Sequence, residues 1–358
     1  MRILQISSAR SIGGGERHVI DLSNGLSKRG HEVFVALAPG SPLFAELSDY
    51  RETNVVVCTF RNAIDLSAAT VLTKFVRENK IELINVHLAK DYPIAAAVSL
   101  AEKIPYVITR HVLFPMSRIH RFVLRDASFV IAPSNAVAAS LKRQRIFREE
   151  KIVTIRYGLD PAKFPEREIT AHYGVIVGSV GNLDPVKGFD VLIRAAAIVK
   201  ERRPDATFTI VGEDRSRDRS NEKDLRELVA ALGLADTVKF AGFSDNIADV
   251  LRGFDIFVLA SRSESFGFVI AEAMLSGVPV IATETEGAKE IISDPSLGRI
   301  VPIESPEKLA EAILKLFSED HRELTRSARR HVVENFSVQR MIDETEALYR
   351  RVVISTVT

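Results

Sequence analysis

Short apolar runs alternate with longer segments of helical periodicity along this chain, and that alternation restricts the fold more than any other feature. The run Ile3–Ser7, for example, precedes the segment Glu16–Arg29, in which Val19, Leu22 and Leu26 recur at helical spacing. Repeated β-α units of this kind are typical of parallel sheets covered by helices on both faces. We therefore predict an α/β fold of two Rossmann-like, doubly wound parallel-sheet domains.

The predicted strands are short runs rich in Val, Ile and Leu that lie between the helical segments. In the first half of the chain they are Ile3–Ser7, Glu32–Ala38, Asn54–Thr59, Leu83–Val86, Tyr106–Thr109, Phe129–Ala132 and Ile152–Ile155. In the second half they are Val175–Gly181, Thr207–Val211, Val238–Ala241, Ile256–Leu259, Val278–Ala282 and Arg299–Val301.

The chain has 358 residues, more than one typical hydrophobic core accommodates and enough for two domains of roughly 150–200 residues. A polar, proline-containing stretch at 157–168 separates the two series of β-α units. We predict an N-terminal domain at 1–160, a linker at 161–174, a C-terminal domain at 175–336, and a final helix at 337–358 that packs back on the first domain. Two such domains facing one another form a cleft at the C-terminal ends of their strands, where ligands bind.

The composition excludes several classes of protein. The formal net charge is +1, so the chain as a whole is not a polyanion binder. The single cysteine, Cys58, excludes an internal disulfide and a cysteine-based metal cluster. No apolar run reaches the roughly 18–20 residues that cross a bilayer, and the sequence enters a strand without a secretory signal. We expect a cytoplasmic protein.

Two glycine-rich segments each follow a predicted strand and precede a helix. The first is Gly13-Gly14-Gly15, and the second runs from Gly181 to Gly188 and contains Lys187. Glycine lets the backbone approach a ligand, and a helix N-terminus offers unpaired N–H groups to an anion. A lysine in such a loop provides a point charge for a phosphate. The alternatives, a flexible turn and an ordinary surface lysine, remain open.

The most informative segment is 261–273, which follows the strand Ile256–Leu259. It places Glu264 in a loop and Glu272 on the second turn of the next helix, with mostly apolar residues or glycine between them. Carboxylates in these positions accept hydrogen bonds from sugar or ribose hydroxyls, and the amides near Gly267 and Phe268 suit hydroxyl or phosphate oxygens. Two acids on a solvated helix are the simpler alternative.

Two histidines, His87 and His111, lie at the C-terminal ends of predicted strands in the first half. There, His111 is placed to bond a sugar or to stabilise a developing positive charge through its neighbours. A purely structural role is the alternative for both residues. The remaining histidines have no metal-ligand spacing, so we predict no metal site.

Together these segments resemble the retaining glycosyltransferases of the two-Rossmann-domain (GT-B) type, in particular glycosyltransferase family 4, over essentially the whole chain. The resemblance is carried by the features above and by several short segments that follow one another as they do in that family. They are Gly13–Glu16, His111, Pro133-Ser134, Gly158–Asp160, Lys187-Gly188, Val211-Gly212, Gly242-Phe243 and Glu264 through Glu272.

The resemblance implies a hexosyltransferase-type enzyme that takes a sugar from a nucleotide-diphosphate donor with retention and needs neither a metal nor another cofactor. In this family the second domain holds the donor. Lys187 would neutralise the diphosphate, Glu272 would hold the ribose, and Glu264 with the backbone of Phe266, Gly267 and Phe268 would hold the sugar.

From the first domain, Gly14 and Gly15 would approach the donor and His111 would touch the transferred sugar, so His111, Lys187 and Glu264 are the predicted catalytic residues. One departure concerns Asn182, a predicted donor-binding residue, because the family usually has Arg at that position. We expect another cation, Arg262 or Arg215, to substitute, or a donor that is held and cleaved less effectively.

The first domain takes the acceptor in this family, and residues 110–156 carry ten Lys/Arg against three acids. Within that stretch Arg118, Arg121 and Arg125 alternate with apolar residues, a pattern that suits anionic lipid headgroups. We predict a saccharide or lipid-linked acceptor in envelope, lipopolysaccharide or exopolysaccharide biosynthesis, with peripheral contact at the inner membrane face. A solvated helix face is the alternative, and no nucleic-acid-binding motif is present.

The same sequence features leave three other functions open. One is a nucleotide-sugar epimerase-like or phosphorylase-like enzyme, although no lysine context for pyridoxal phosphate is evident. Another is a non-catalytic protein that binds sugar nucleotides. A dinucleotide dehydrogenase is the most remote, because the first glycine-rich turn lacks the G-x-G-x-x-G spacing.

Overall fold

The computed structural model describes residues 1–47, 54–167 and 174–357. The chain divides into two compact units, the first formed by 1–158 with 336–358 and the second by 159–335. Part of the predicted linker at 161–174 lies outside the described residues. Its described portion includes a short 3-10 helix, Pro161–Lys163, which belongs to the second unit.

The first unit contains a sheet in which every described strand pair is parallel. Its strands are β1 (Arg2–Ser7), β2 (Glu32–Leu37), β3 (Val55–Val57), β4 (Leu83–Val86), β5 (Tyr106–Thr109), β6 (Phe129–Ala132) and β7 (Ile152–Thr154). Within the described ranges these seven strands lie in the order β3-β2-β1-β4-β5-β6-β7. The strand order therefore reverses between β1 and β4, which are neighbours.

Helices connect these strands. They are α1 (Gly14–Lys28), α2 (Leu43–Glu46), α3 (Leu66–Glu78), α4 (Tyr92–Glu102), α5 (His120–Val123) and α6 (Asn135–Gln144).

The second unit repeats the arrangement with a second parallel sheet. Its strands are β8 (Val175–Val180), β9 (Ala206–Val211), β10 (Val238–Gly242), β11 (Ile256–Leu259), β12 (Val280–Thr283) and β13 (Arg299–Val301). The six strands found in the described part of this unit lie in the order β10-β9-β8-β11-β12-β13, so the order reverses between β8 and β11. Its helices are α7 (Phe189–Arg202), α8 (Ser220–Ala231), α9 (Ile247–Arg252), α10 (Phe268–Leu275), α11 (Glu286–Ile291), α12 (Pro306–Leu316) and α13 (Arg322–Asn335).

The predicted fold class is confirmed, since both units are doubly wound parallel sheets. The predicted start of one helix was wrong, and one helix of ten residues had not been predicted. The first helix begins at Gly14 rather than Glu16, because Glu16 caps the turn by accepting the N–H of Gly13 at 3.0 Å. Helix α6 was not predicted. Its start is set by the side chain of Ser134, which accepts the N–H of Val137 at 3.2 Å.

Apolar side chains fill both faces of the first sheet. Leu4 and Ile6 belong to the core on one face, and Ile3 belongs to the core on the other. The last helix, α14 (Val338–Val357), lies in the first unit and adds Met341 and Tyr349 to the core that holds Ile3. Such two-sided burial is what parallel sheets require.

A close packing contact in the second unit yields a stability prediction. A Cβ atom on Gly178 in β8 would overlap the ring of Phe254, which is 4% exposed. We expect Gly178→Ala to lower the free energy of unfolding of this unit by about 2–3 kcal/mol, because the rigid ring must shift within a packed core. Urea or thermal unfolding measures the change.

The control for this prediction is Gly181→Ala, since a Cβ there would meet only Lys187 side-chain carbons at an ordinary 3.6 Å. It should leave the unfolding midpoint within experimental error. Equal midpoints for the two variants would contradict the packing argument.

Candidate functional site

Several of the predicted site residues lie where the strand order reverses. In doubly wound sheets such switch points leave a crevice at the C-terminal strand ends, where ligands bind. The loop after β8 carries Asn182 and Lys187, and the loop after β11 carries Glu264. In the first unit the loop after β1 leads to Gly14, and the residue after β4 is His87.

The loops after β8 and β11 are in direct contact. The N–H of Arg262 donates to the carbonyl of Val186 at 2.7 Å. Gly188 adopts a left-handed conformation with φ of 65°, and a Cβ there would overlap the carbonyl oxygen of Ala260. Glycine is therefore required at 188 for two reasons, the positive φ and the close approach to the end of β11.

This contact brings the predicted phosphate-binding lysine to the predicted sugar-binding glutamate. The Nζ atom of Lys187 donates to Oε2 of Glu264 at 2.7 Å. The two side chains are 24% and 15% exposed, so the pair is partly shielded from water. In this state the charge on Lys187 is balanced by a carboxylate rather than by solvent alone.

Helix α10 positions the rest of the predicted donor site. Gly267 caps its N-terminus with φ of 93°, and the rings of Phe266 and Phe268 pack edge to face with centroids 5.1 Å apart. On the second turn Glu272 is 8% exposed. A carboxylate buried to this degree is stable only when it has hydrogen-bond partners.

Gly287 was missed from the sequence. Its N–H donates to the carbonyl of Glu264 at 3.1 Å, which holds the glutamate backbone against the first turn of α11. A Cβ at this position would lie 2.7 Å from the backbone of Phe266. The helix-start signal at Thr285, whose side chain accepts the N–H of Ala288, is the local clue to this contact.

Both candidate substitutes for the missing arginine are already paired. Arg262 makes a bidentate contact with Asp190 at 2.9 and 2.7 Å and also pairs with Glu304. Hydrogen bonds to these carboxylates raise the pKa of Arg262. Nε of Arg215 lies 3.0 Å from Oε1 of Glu213. Lys187 is thus the cation that the structure places against a predicted sugar-binding group.

In the first unit, Gly14 and Gly15 occupy the first turn of α1, where backbone N–H groups have no partner within the helix. The carboxylate of Glu16 lies at this end, and burial raises its pKa. Gly15 packs on the ring of His111, since a Cβ there would lie 3.1 Å from Cγ of the histidine. The structure therefore brings two predicted site residues, Gly15 and His111, into contact.

Both ring nitrogens of His111 are hydrogen-bonded within the protein. Nδ1 lies 2.6 Å from the hydroxyl of Tyr157, and Nε2 lies 3.0 Å from Nδ1 of His87. The Nε2 atom of His87 in turn lies 2.8 Å from Oε1 of Gln5. Tyr157 was assigned from the sequence to a polar interdomain stretch, but it is 3% exposed and belongs to the first unit.

His18, on α1, completes this cluster. Its ring packs edge-on at 5.3 Å from His111 and 5.4 Å from Tyr157, measured between centroids. Burial lowers the pKa of His18 to about 4. Burial, and then the neighbouring His18, holds the pKa values of His87 and His111 well below the ordinary value. All three rings are therefore neutral near pH 7.

The arginine-containing segment that was predicted to contact the acceptor or a membrane is exposed. Arg118 and Arg121 lie at the surface around the short helix α5, and Arg125 is 3.4 Å from Asp126. Phe114 and Phe122, which flank the first two arginines, are 76% and 74% exposed.

Within 1–47, 54–167 and 174–357, no group of His, Cys, Asp and Glu side chains is arranged to hold a metal ion. No helix in those ranges combines the length and hydrophobicity that a bilayer span requires.

Comparison with known proteins identifies the class. The two parallel-sheet units are the architecture of GT-B glycosyltransferases. HepE of Anabaena, solved in complex with UDP, has this fold with a TM-score of 0.86, 24% identity and coverage of 98% of this chain and 100% of its own. HepE in complex with UDP-glucose gives a TM-score of 0.84 at 25% identity, covering 97% of this chain and 99% of that one.

Sequence comparison identifies the family. The model for glycosyltransferase family 4 matches residues 12–163, and the model for group 1 glycosyl transferases matches 163–335. The chain is a glycosyltransferase of the GT-B type and belongs to the family 4 group.

Two curated relatives match most of the chain. N-acetyl-alpha-D-glucosaminyl L-malate synthase of Bacillus anthracis is 26% identical over 95% of this chain and 94% of its own length. The lipopolysaccharide core biosynthesis glycosyltransferase LpsE of Rhizobium meliloti is 27% identical over 92% of this chain and 94% of its own length.

The neutral histidine cluster predicts a pH dependence of stability. The pKa of His18 is about 4 in the folded chain against an ordinary 6.5, so the unfolded chain binds this proton first as the pH falls. The stability that depends on neutral His18 is complete above about pH 6.5 and is lost as the pH falls toward about 4. Between about pH 6.5 and about pH 5, we expect the free energy of unfolding to fall by about 2 kcal/mol for His18 alone.

Urea unfolding at a series of pH values measures this slope, and His18→Gln removes the titrating group while keeping a polar side chain. The variant should lose stability less steeply with falling pH than the wild type. Parallel slopes for both proteins would show that His18 is not responsible.

Proposed function

We propose that this glycosyltransferase is a retaining enzyme that moves a sugar from a nucleotide-diphosphate donor to a saccharide or lipid-linked acceptor. The observation that carries the proposal is the Lys187–Glu264 pair, 2.7 Å apart, at the switch point of the second sheet. It places a phosphate-binding cation beside a hydroxyl-binding carboxylate at the strand ends where such sheets bind ligands.

The comparisons support a nucleotide-sugar donor, since HepE was solved with UDP and with UDP-glucose. The names of LpsE and of a phosphatidyl-myo-inositol mannosyltransferase from Mycolicibacterium smegmatis support a saccharide or lipid-linked acceptor. Envelope polysaccharide synthesis, at the cytoplasmic side of a membrane, is the process that fits these substrates.

In the proposed reaction the bond between the sugar and the diphosphate breaks through an oxocarbenium-like transition state. The acceptor hydroxyl bonds to the same carbon on the same face, and its proton passes to the leaving diphosphate. Negative charge develops on the leaving diphosphate, and the ammonium group of Lys187 stabilises it together with the amides at the start of α10. Glu264 accepts hydrogen bonds from the transferred sugar, Glu272 holds the ribose, and Asn182 donates an amide hydrogen bond.

We propose that the chemistry requires no metal ion, because Lys187 and helix-end amides supply the charge that a cation would otherwise provide. Turnover measured with and without a strong chelator tests this part of the proposal. A loss of activity that added Mg²⁺ or Mn²⁺ restores would refute it.

The main prediction concerns donor use. Purified protein incubated with UDP-, GDP- and ADP-sugars should release nucleotide slowly by hydrolysis from at least one donor. Lys187→Ala should lower kcat by roughly 100- to 1000-fold through lost stabilisation of the leaving group, and Glu272→Ala should mainly raise the KM for the donor. The anomeric configuration of the product, read by NMR, tests retention.

Lys200→Ala is the matched control, because Lys200 lies on the same unit and its Nζ donates to the carbonyl of Gly233. It should retain full activity. Donor binding without turnover under any condition, including with lipid acceptors, would favour the non-catalytic alternative. Unchanged kinetics in both Lys187→Ala and Glu272→Ala would refute the site assignment.

We also propose that the exposed segment 112–125 docks on an anionic membrane surface. Phe114 and Phe122 are largely exposed, and within the described chain no ion pair engages Arg118 or Arg121. Apolar rings beside unpaired arginines suit the boundary between headgroups and acyl chains. The segment is held in place by Gln144 of α6, whose side-chain oxygen accepts the N–H of Met116 at 2.7 Å.

Vesicle sedimentation tests this surface, with phosphatidylcholine alone or with phosphatidylglycerol added. The protein should bind only the anionic vesicles, and the double variant Phe114→Ser/Phe122→Ser should bind at least roughly tenfold more weakly, given the apolar area lost. The control Ile64→Ser/Leu66→Ser removes two apolar side chains that are 81% and 80% exposed elsewhere on the unit. Equal losses in the two double variants would contradict a specific docking surface.

A further inference from the structure

Four side chains of the first unit form a chain of hydrogen bonds that the packing of its sheet and helices does not require. It runs from Tyr157 through His111 and His87 to Gln5. Tyr157, His87 and Gln5 are 3%, 2% and 0% exposed, whereas His111 is only partly buried. Of these four residues, His111 is the one that solvent, and a ligand, can reach.

The side-chain oxygen of Gln5, at the buried end of the chain, determines which atom donates in each hydrogen bond. The side-chain N–H₂ of Asn85 lies 3.1 Å from Oε1 of Gln5 and 3.2 Å from Nε2 of His87. The amide oxygen of Gln5 can only accept, and it lies closer to Nε2 of His87, at 2.8 Å, than Asn85 does. The Nε2 atom of His87 therefore donates to it, and Nδ1 of the neutral His87 accepts from Nε2 of His111. His111 is left with an unprotonated Nδ1, which accepts the hydroxyl proton of Tyr157.

The consequence for His111 is a single tautomer, with its proton on Nε2. Rotation of the ring about its side-chain bonds would break the contacts at 2.6 Å and 3.0 Å together. It would also move the ring away from Gly15, on which Cγ and Cδ2 pack. His18 limits the ring from a third side, at 5.3 Å between centroids.

We propose that Tyr157 and His87 are positioning residues, which hold the imidazole of His111 in one tautomer and one orientation for contact with the transferred sugar. This inference rests on the proposed function, in which His111 touches that sugar. Neither positioning residue contacts the substrate. They act through His111, whose ring nitrogens they occupy and whose plane they fix.

A double-mutant cycle separates positioning from a general structural effect. Tyr157→Phe removes only the hydroxyl and should lower kcat/KM roughly tenfold, the effect of one lost hydrogen bond to a reacting-site group. In a His111→Ala background the same change should alter kcat/KM by less than about twofold, because its target is absent. Equal losses in both backgrounds, or no loss in the wild type, would overturn the proposal.

The control is Tyr106→Phe, which removes the hydroxyl of a tyrosine that is 1% exposed in the same unit. Its hydroxyl is not part of the chain that runs from Tyr157 to Gln5. This variant should keep the wild-type kcat/KM. A tenfold loss there as well would assign the effect of Tyr157→Phe to packing and overturn the proposal.

A second measurement does not depend on activity. In protein labelled with ¹⁵N-histidine, the His111 signals, assigned by their loss in His111→Ala, should show a protonated Nε2 and an unprotonated Nδ1. In Tyr157→Phe they should move toward a mixture of tautomers. A tautomer mixture in the wild type would overturn the positioning chain, even if glycosyl transfer is confirmed. If no donor is turned over, this readout still tests the chain.

Discussion

In both sheets the described strand pairs are all parallel, so the loops that follow the strands leave from one edge of each sheet. Parallel strands are buried on both faces and carry apolar residues almost throughout. The four residues of β11, Ile256–Leu259, are all buried. Polar side chains are therefore concentrated at the strand ends, and the reversal of strand order brings the ends of β8 and β11 side by side. The Lys187–Glu264 pair is a direct consequence of this arrangement.

The same burial explains what the sequence could predict. The bounds of β5, β6 and β11 agree with the predicted ones, because a strand buried on both faces is a nearly continuous apolar run. Helix α6 lacked such a signal. Its buried face consists largely of Ala136, Val137 and Ala138, and small side chains give a weak periodic pattern.

The relative placement of two site residues could be predicted when both lie in the same short segment of the sequence. The placement of Glu264 and Glu272 on either side of a helix start depends on spacing within one segment, and the structure has that arrangement. Lys187 and Glu264 are 77 positions apart, and His111 and Tyr157 are 46 positions apart. Periodicity contains no information on how two distant loops meet, so neither contact followed from the pattern.

The sequence nevertheless contained a sign of the buried chain. Gln5 and Asn85 interrupt the apolar runs of β1 and β4, and the structure pairs these strands with the two residues opposite each other. A polar side chain inside a doubly covered strand is costly unless it finds a hydrogen bond. Two such residues on strands that flank a switch point indicate a shared network, which here continues through His87 to His111.

The Lys187–Glu264 pair also has a consequence for how the proposed donor would bind. A lysine partly removed from water is stabilised by the carboxylate while the site is empty. A diphosphate carries more negative charge than one carboxylate, so it competes favourably for the ammonium group. Glu264 would then lose its cation at the moment when sugar hydroxyls become available as hydrogen-bond donors. Donor binding in this proposal is an exchange of partners, in which neither charge is left uncompensated.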